Sequence, residues 1–425
     1  MAMVSFKSLA TISRETWTPS KSVDGSVWHY SIPNFDTGMA HLENTSSIMS
    51  NKFLITKPCV LISKLNPKSP RVWLIENVQE ETSVCSTEFI VLTPNSPADL
   101  RFLYFLLKSS EVRQRLSDIA TGTSSSHQRV RPEDILNLEV ECLDSVIERQ
   151  NCSNVLMALE SRISLNVEIA KTLEEIAQTI FKSWFVDFDP VKAKMAEEKP
   201  VGMDDATAAL FPDRMEDSEL SPIPKGWELS QIGDEVECVG GSTPSTSNSE
   251  FWDGDICWTT PKDLSKQIGL ITTTSERRIT SKGLEKISSG VLPVNSVLMS
   301  SRAPIGYLSI NAVPSAINQG FIALRQNPKF APLYLLFWLQ TNMAEIKNRA
   351  GGGTFAEISK TAFKSIPFVV PDEGILKKYE EISEPILLQL AALTLQNQEL
   401  IELRDSLLPR LITGELQIPE EMLVS

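Results

Sequence analysis

Three histidines and six cysteines in 425 residues leave little material for metal chemistry. No two of Cys59, Cys85, Cys142, Cys152, Cys238 and Cys257 are spaced C-x-x-C, and His29, His41 and His127 stand far apart, so neither a zinc site nor a His-based metal centre is expected. Isolated thiols fit small buried side chains in a reducing compartment. The chain has no G-x-x-x-x-G-K-[ST] loop to cradle ATP, and no G-x-G-x-x-G follows a strand-like run. It also has no Asn/Asp-Pro-Pro-aromatic motif of the kind amino-methyltransferases bring to a flipped base. The paired carboxylates Asp187 and Asp189 read as a helix exit rather than a nuclease centre. No apolar run approaches the roughly 20 residues of a membrane helix, the longest being Leu333 to Leu339, and no basic-then-apolar leader opens the chain. A cytoplasmic, non-catalytic protein is expected.

Basic residues are in deficit as well, with 40 against 54 acidic ones. The imbalance is uneven. Residues 1–147 hold 14 basic and 16 acidic side chains, and residues 225–372 hold 14 and 13. The acid is concentrated in residues 148–224, with 8 and 15, and in residues 373–425, with 4 and 10. Two nearly neutral segments thus alternate with two acidic ones.

What is present is a tandem repeat. Leu103-Tyr-Phe-Leu106 resembles Leu333-Tyr-Leu-Leu336 at an offset of 230. Thr121-Gly-Thr-Ser124 and Gly351-Gly-Gly-Thr354 keep that offset, and each is followed by a strand-like segment, Ile135 to Val140 and Ser365 to Val370. Phe89 to Leu92 and Gly306 to Ile310 also read as strands, Leu100 to Leu116 and Pro332 to Ile346 as helices, and residues 240–249 as a loop.

A long acidic helix closes each copy. Leu156, Leu159, Ile163, Asn166, Ala170, Leu173, Ala177, Ile180 and Trp184 alternate by three and four, as do Leu390, Leu393, Asn397, Leu400, Arg404, Leu407 and Leu411. That is a coiled-coil seam. Thirty or more residues at 1.5 Å each give about 45 Å. The seams suit antiparallel pairing within one chain. Asn166 and Asn397 fall on them and are expected to specify register; in an antiparallel pair the two need not meet, so each bonds a backbone carbonyl or water instead, the other reading being that each lies at the seam's edge. The prolines of residues 187–226 mark a connector without helices.

Thr172-Leu-Glu-Glu-Ile-Ala-Gln-Thr-Ile-Phe-Lys-Ser-Trp-Phe-Val-Asp-Phe-Asp-Pro190 resembles the central constant region of specificity subunits of bacterial Type I restriction-modification enzymes. Val191 to Met195, Leu210-Phe-Pro-Asp213 and Ile223-Pro-Lys-Gly-Trp227 are similar to that family's linker, and Leu403 to Leu416 to its C-terminal constant region. Gly240 to Pro244, Trp252-Asp-Gly-Asp-Ile-Cys-Trp258, Thr280 with Gly283-Leu284, Asn318-Gln-Gly320 and Gly351 to Thr354 resemble one type of target recognition domain. The resemblance covers most of residues 150–416; over 1–100 only the layout is similar.

The resemblance implies an α+β fold with an internal pseudo-two-fold repeat: two similar mixed α/β target recognition domains separated by two long antiparallel coiled-coil helices. The expected domains are residues 1–147 and 227–372, with helices at 148–188 and 373–416, a linker at 189–226 and a tail at 417–425. It implies further that each domain reads half of a split, asymmetric double-stranded DNA site through the major groove. Two modification subunits would methylate adenine with S-adenosylmethionine, and restriction subunits would add ATP- and magnesium-dependent translocation and cleavage. This chain would hold no cofactor, and alone it would bind DNA weakly, its domains being nearly neutral.

The candidate contacts come from the residue types. Gly351, Gly352 and Gly353 let backbone amides approach phosphate, or form a plain turn. Thr354, and Ser124, Ser125 and Ser126 at the equivalent place, offer hydroxyls. His127, Gln128, Arg129 and Arg131 supply donors for purine edges. Arg302 and Lys262 suit either DNA or a structural ion pair, and Ser242 and Thr243 belong to the glycine loop. Trp252 and Trp258 read as core. Two other readings remain at this point, a stand-alone two-domain DNA-processing enzyme and a coiled-coil protein scaffold.

Overall fold

The computed structural model describes residues 2–19, 25–120, 128–219, 221–352 and 356–419. They form two compact units, Met1–Ile163 with Glu399–Ser425, and Ser164–Gln398.

In the first unit, strands Ala10–Ser13, Phe89–Pro94, Cys59–Ser63 and Val72–Ile75 make an antiparallel sheet in that order. Cys59–Ser63 is buried along its whole length, as its unbroken apolar run requires of a central strand. A second sheet of five strands contains the parallel pair Ser26–Tyr30 and Ser83–Cys85, with His41–Asn44 antiparallel to the former. Ala2–Ser5 pairs with Glu139–Cys142 and so closes the globular part on itself.

The second unit repeats this plan. Its main sheet runs Cys238–Gly240, Phe321–Leu324, Val297–Ser301, Ile305–Asn311 and Ile271–Thr272. Trp252–Thr259 lies parallel to Ser315–Ile317 and antiparallel to Arg277–Ile279. Glu228–Gln231 pairs with Pro367–Val370. The repeat seen in short motifs is therefore a repeat of topology, down to the parallel pair in each minor sheet.

The long helices span Val146–Phe185 and Glu373–Thr413, of 40 and 41 residues. They pack antiparallel. In the second unit Phe181 meets Tyr379 with ring centroids 6.2 Å apart, while Asn166 meets Asn397. In the first unit Leu156 shares a core with Leu408, Leu411 and Ile412. Every seam position named from the spacing is buried or half-buried.

Asn166, fully buried, donates from Nδ2 to Asn397 Oδ1 and Gln396 Oε1, both at 2.8 Å. The two seam asparagines thus meet each other.

Several elements differ from the sequence reading. Ile135 to Val140 is not one strand: helix Pro132–Leu136 precedes strand Glu139–Cys142, because Pro132 opens a helix whose first turn has Asp134 accepting from the Arg131 amide. The helix expected over Leu100 to Leu116 breaks at Ser109, whose hydroxyl accepts from the Val112 amide and starts a new helix, Ser110–Ile119. Pro332 to Ile346 likewise divides into Pro332–Thr341 and Met343–Asn348. The connector holds two short helices, Asp189–Met195 and Asp205–Leu210; Pro190 sits in a first turn, where its missing N–H costs nothing.

Candidate nucleic-acid interface

In both units the described chain after a helix pair comes back to the end of a buried strand. In the first unit Arg129 makes a single antiparallel bridge to Leu65, and the Val130 amide donates to the Lys64 carbonyl at 2.9 Å. In the second, Glu357 bridges to both Arg302 and Gly351, and the Ile358 amide donates to the Ser301 carbonyl at 3.1 Å. Val130 and Ile358, both buried, anchor the two returns. The loop tips themselves, with Ser124, Ser125, Ser126, His127, Gly353 and Thr354, lie outside the described residues.

Around the first loop the structure brings together side chains that no motif connected. Arg129 is exposed and pairs with Glu88 at 3.4 Å. Lys64 donates to the Thr87 carbonyl at 2.6 Å and lies 5.3 Å from the Phe53 ring centroid. Burial holds its ammonium below the usual lysine range; Glu88 opposes that shift, and the nearby cations Arg129 and Arg14 add to it. Arg14 pairs with Glu133, and Arg131 is exposed at the start of the same short helix. Gln128 is half-buried, and its Oε1 has no partner among the described residues. Arg14 and Lys64 were missed from sequence; Lys64 was findable as the first residue after a nearly all-apolar run, which folds as a fully buried strand.

In the second unit Arg302 pairs with Glu357 at 3.6 Å, both side chains being more than a third exposed. The Gly351 amide is engaged within the loop, donating to the Glu357 carbonyl at 3.0 Å. Gly352, at φ 104°, needs a residue without Cβ. Exposed Arg–Glu pairs contribute little to stability, so their guanidinium groups can exchange a carboxylate for phosphate or a base edge at small cost.

The glycine loop stands apart, on the minor sheet. Gly241 is required there, since a Cβ would come within 1.9 Å of the Ile317 carbonyl. The Ser242 hydroxyl donates to the Lys286 carbonyl at 2.9 Å, and the Thr243 hydroxyl to Gln319 Oε1 at 2.5 Å. Trp252 and Trp258 are buried as a T-shaped pair 5.0 Å apart. Lys262 and Lys266 both pair with Glu276, at 2.9 and 3.0 Å, and hold its carboxyl below the usual range.

Among the described residues no three His, Cys, Asp or Glu side chains gather as a metal-binding group, and all six cysteines are buried free thiols. Burial raises the Cys59 and Cys152 thiols to about 12, far from nucleophilic range. Among the described residues no helix is long and apolar enough to cross a membrane.

Residues 224–403 match the family model for the Type I restriction modification DNA specificity domain. The chain is similar to the Type I restriction enzyme HindI specificity subunit of Haemophilus influenzae, with 28% identity over 88% of this chain and 93% of that protein. It is also similar to the MjaIX specificity subunit of Methanocaldococcus jannaschii, at 37% identity over 41% of this chain and 45% of the relative. In fold it resembles the crystal structure of a Type I restriction-modification system S subunit from M. genitalium, at TM-score 0.57 and 15% identity, covering 97% of this chain and 96% of that one.

Proposed function

We propose that the chain is a member of the family of Type I restriction enzyme specificity subunits, which its similarities support, and that it reads a split, asymmetric double-stranded DNA site, one half with each globular domain. The observation that carries this reading is the duplicated return: in each copy the chain bridges back to the end of a buried strand and holds a partly exposed Arg–Glu pair there. Arg129 and Arg302 are the bidentate donors in this reading, with Lys64, Arg14 and Arg131 supplying phosphate contacts around the first loop. Fixed backbone anchors at Val130 and Ile358 would hold those donors at a set height above each sheet.

In this reading the subunit is not a catalyst and acts in the cytoplasm. Two modification subunits assemble with it and methylate adenine using S-adenosylmethionine, while restriction subunits use ATP and magnesium. This chain binds none of those cofactors. Its role is to decide which duplex the other subunits meet. The near-neutral domains supply a small counterion-release term, so the lone chain binds weakly and the assembled complex tightly.

The test is methylome sequencing of a host carrying the modification subunits, with and without this chain. One bipartite adenine-methylated motif that depends on the chain is the expected result. Methylation that is unchanged by its removal would overturn the proposal.

A further inference from the structure

The minor sheet of the second unit carries an arginine that none of the motifs singled out. Trp258 and Arg277 are directly opposite each other in the antiparallel pair, which brings Arg277 onto Trp252. Its guanidinium lies 3.4 Å from the Trp252 ring centroid, and Trp258 braces that ring edge-on from 5.0 Å. Arg277 is exposed while Trp252 is only 5% exposed, so the guanidinium roofs the indole and faces outward.

The same two indoles hold the glycine loop. Trp252 Nε1 donates to the Ser245 carbonyl at 3.0 Å, and Trp258 Nε1 to the Ser242 carbonyl at 3.2 Å. Loop and guanidinium therefore share one rigid base. The neighbouring cations are engaged: Lys262 and Lys266 with Glu276, Lys282 with Glu250, and Arg278 with the Asp255 carbonyl. Among the described residues the Arg277 guanidinium meets no carboxylate and donates to no acceptor.

Stacking immobilises the plane of an arginine and leaves its fork of donors free, so little side-chain entropy is lost when the fork is used. Its natural complement is a coplanar pair of acceptors, which in the major groove is guanine O6 and N7. We propose that Arg277 is a specificity-determining residue that reads a guanine in the half-site of the second domain, positioned by Trp252. This inference rests on the DNA-reading function proposed above.

Two variants test it in the full chain assembled with its modification subunits. Arg277→Met keeps an unbranched stem over the indole without the fork, and Arg277→Lys keeps the charge without the planar fork. Methylome sequencing of each should show one guanine position in one half of the motif relaxed by roughly tenfold or more, with every other position intact. An unchanged motif at unchanged level would make Arg277 a lid on Trp252 and overturn the proposal. An unchanged motif with all sites falling together would indicate a phosphate contact, and would overturn it too. If Arg277→Met fails to fold, Arg277→Lys decides alone. Absence of any chain-dependent motif with the unmodified protein would instead count against the DNA-reading function itself.

Discussion

Tyr104 and Tyr334 occupy the same place in the two copies, yet they join their domains to the long helices by different physics. In the first unit the Tyr104 hydroxyl donates to Glu160 Oε2 at 2.8 Å, and Lys108 donates to the Tyr104 oxygen at 2.9 Å and to Glu160. Arg404, from the other long helix, donates to Glu160 Oε1 at 3.3 Å. In the second unit the counterparts of Lys108 and Glu160 at the repeat offset are Trp338 and Leu390, and both share the apolar core with Tyr334. The Tyr334 ring lies 4.9 Å from Phe185 and 5.2 Å from Phe181. One topology therefore accepts either a charged hub or an aromatic one. What the repeat preserves is the position of the junction, and its chemistry is free to change.

The contrast can be broken from either side. Phe181→Ala should have the largest effect, about 3–5 kcal/mol, because the ring contacts Tyr334, Phe337 and Tyr379 in a packed core. Native-state hydrogen exchange should place the loss in the second unit, with no dependence on salt. Glu160→Ala should cost about 2–3 kcal/mol: it leaves Lys108 and Arg404 without their shared partner, and partial exposure reduces the full penalty of a broken buried pair. That loss belongs to the first unit and should shrink in 1 M salt. Lys108→Trp with Glu160→Leu, which writes the second copy's side chains into the first, should recover part of it and remove the salt dependence. If it does not, the two junctions are not interchangeable.

The smallest effect concerns the point shared by the two helices. Asn166→Leu should change stability by about 1 kcal/mol or less, since an apolar seam residue gains burial while Asn397 and Gln396 lose their bond. The informative readout is register, followed by disulfide trapping between cysteine pairs placed along the helices. Trapping in several registers is expected for Asn166→Leu and in one for the unaltered chain.

The helices were legible because a seam is periodic: alternating threes and fours located Leu156, Ala177, Leu390 and Leu411 before any contact was known, and all four are buried. The meeting of Asn166 with Asn397 was not legible, since a spacing within each helix carries no information about the offset between them. The same limit hid Arg277 on Trp252, which depends on strand register across some 25 residues. Arg14 and Lys64 gather at the first loop through long-range pairing that no local pattern encodes. The false strand at Ile135 arose from an apolar run too short for its period to separate a helix from a strand.

In the proposed function the two copies read their half-sites independently. That independence is tested most directly by replacing residues 1–145 with the first domain of another family member and sequencing the methylome that the chimera directs. One half of the methylated motif should change while the other half keeps its bases. A motif in which both halves change together would contradict the account.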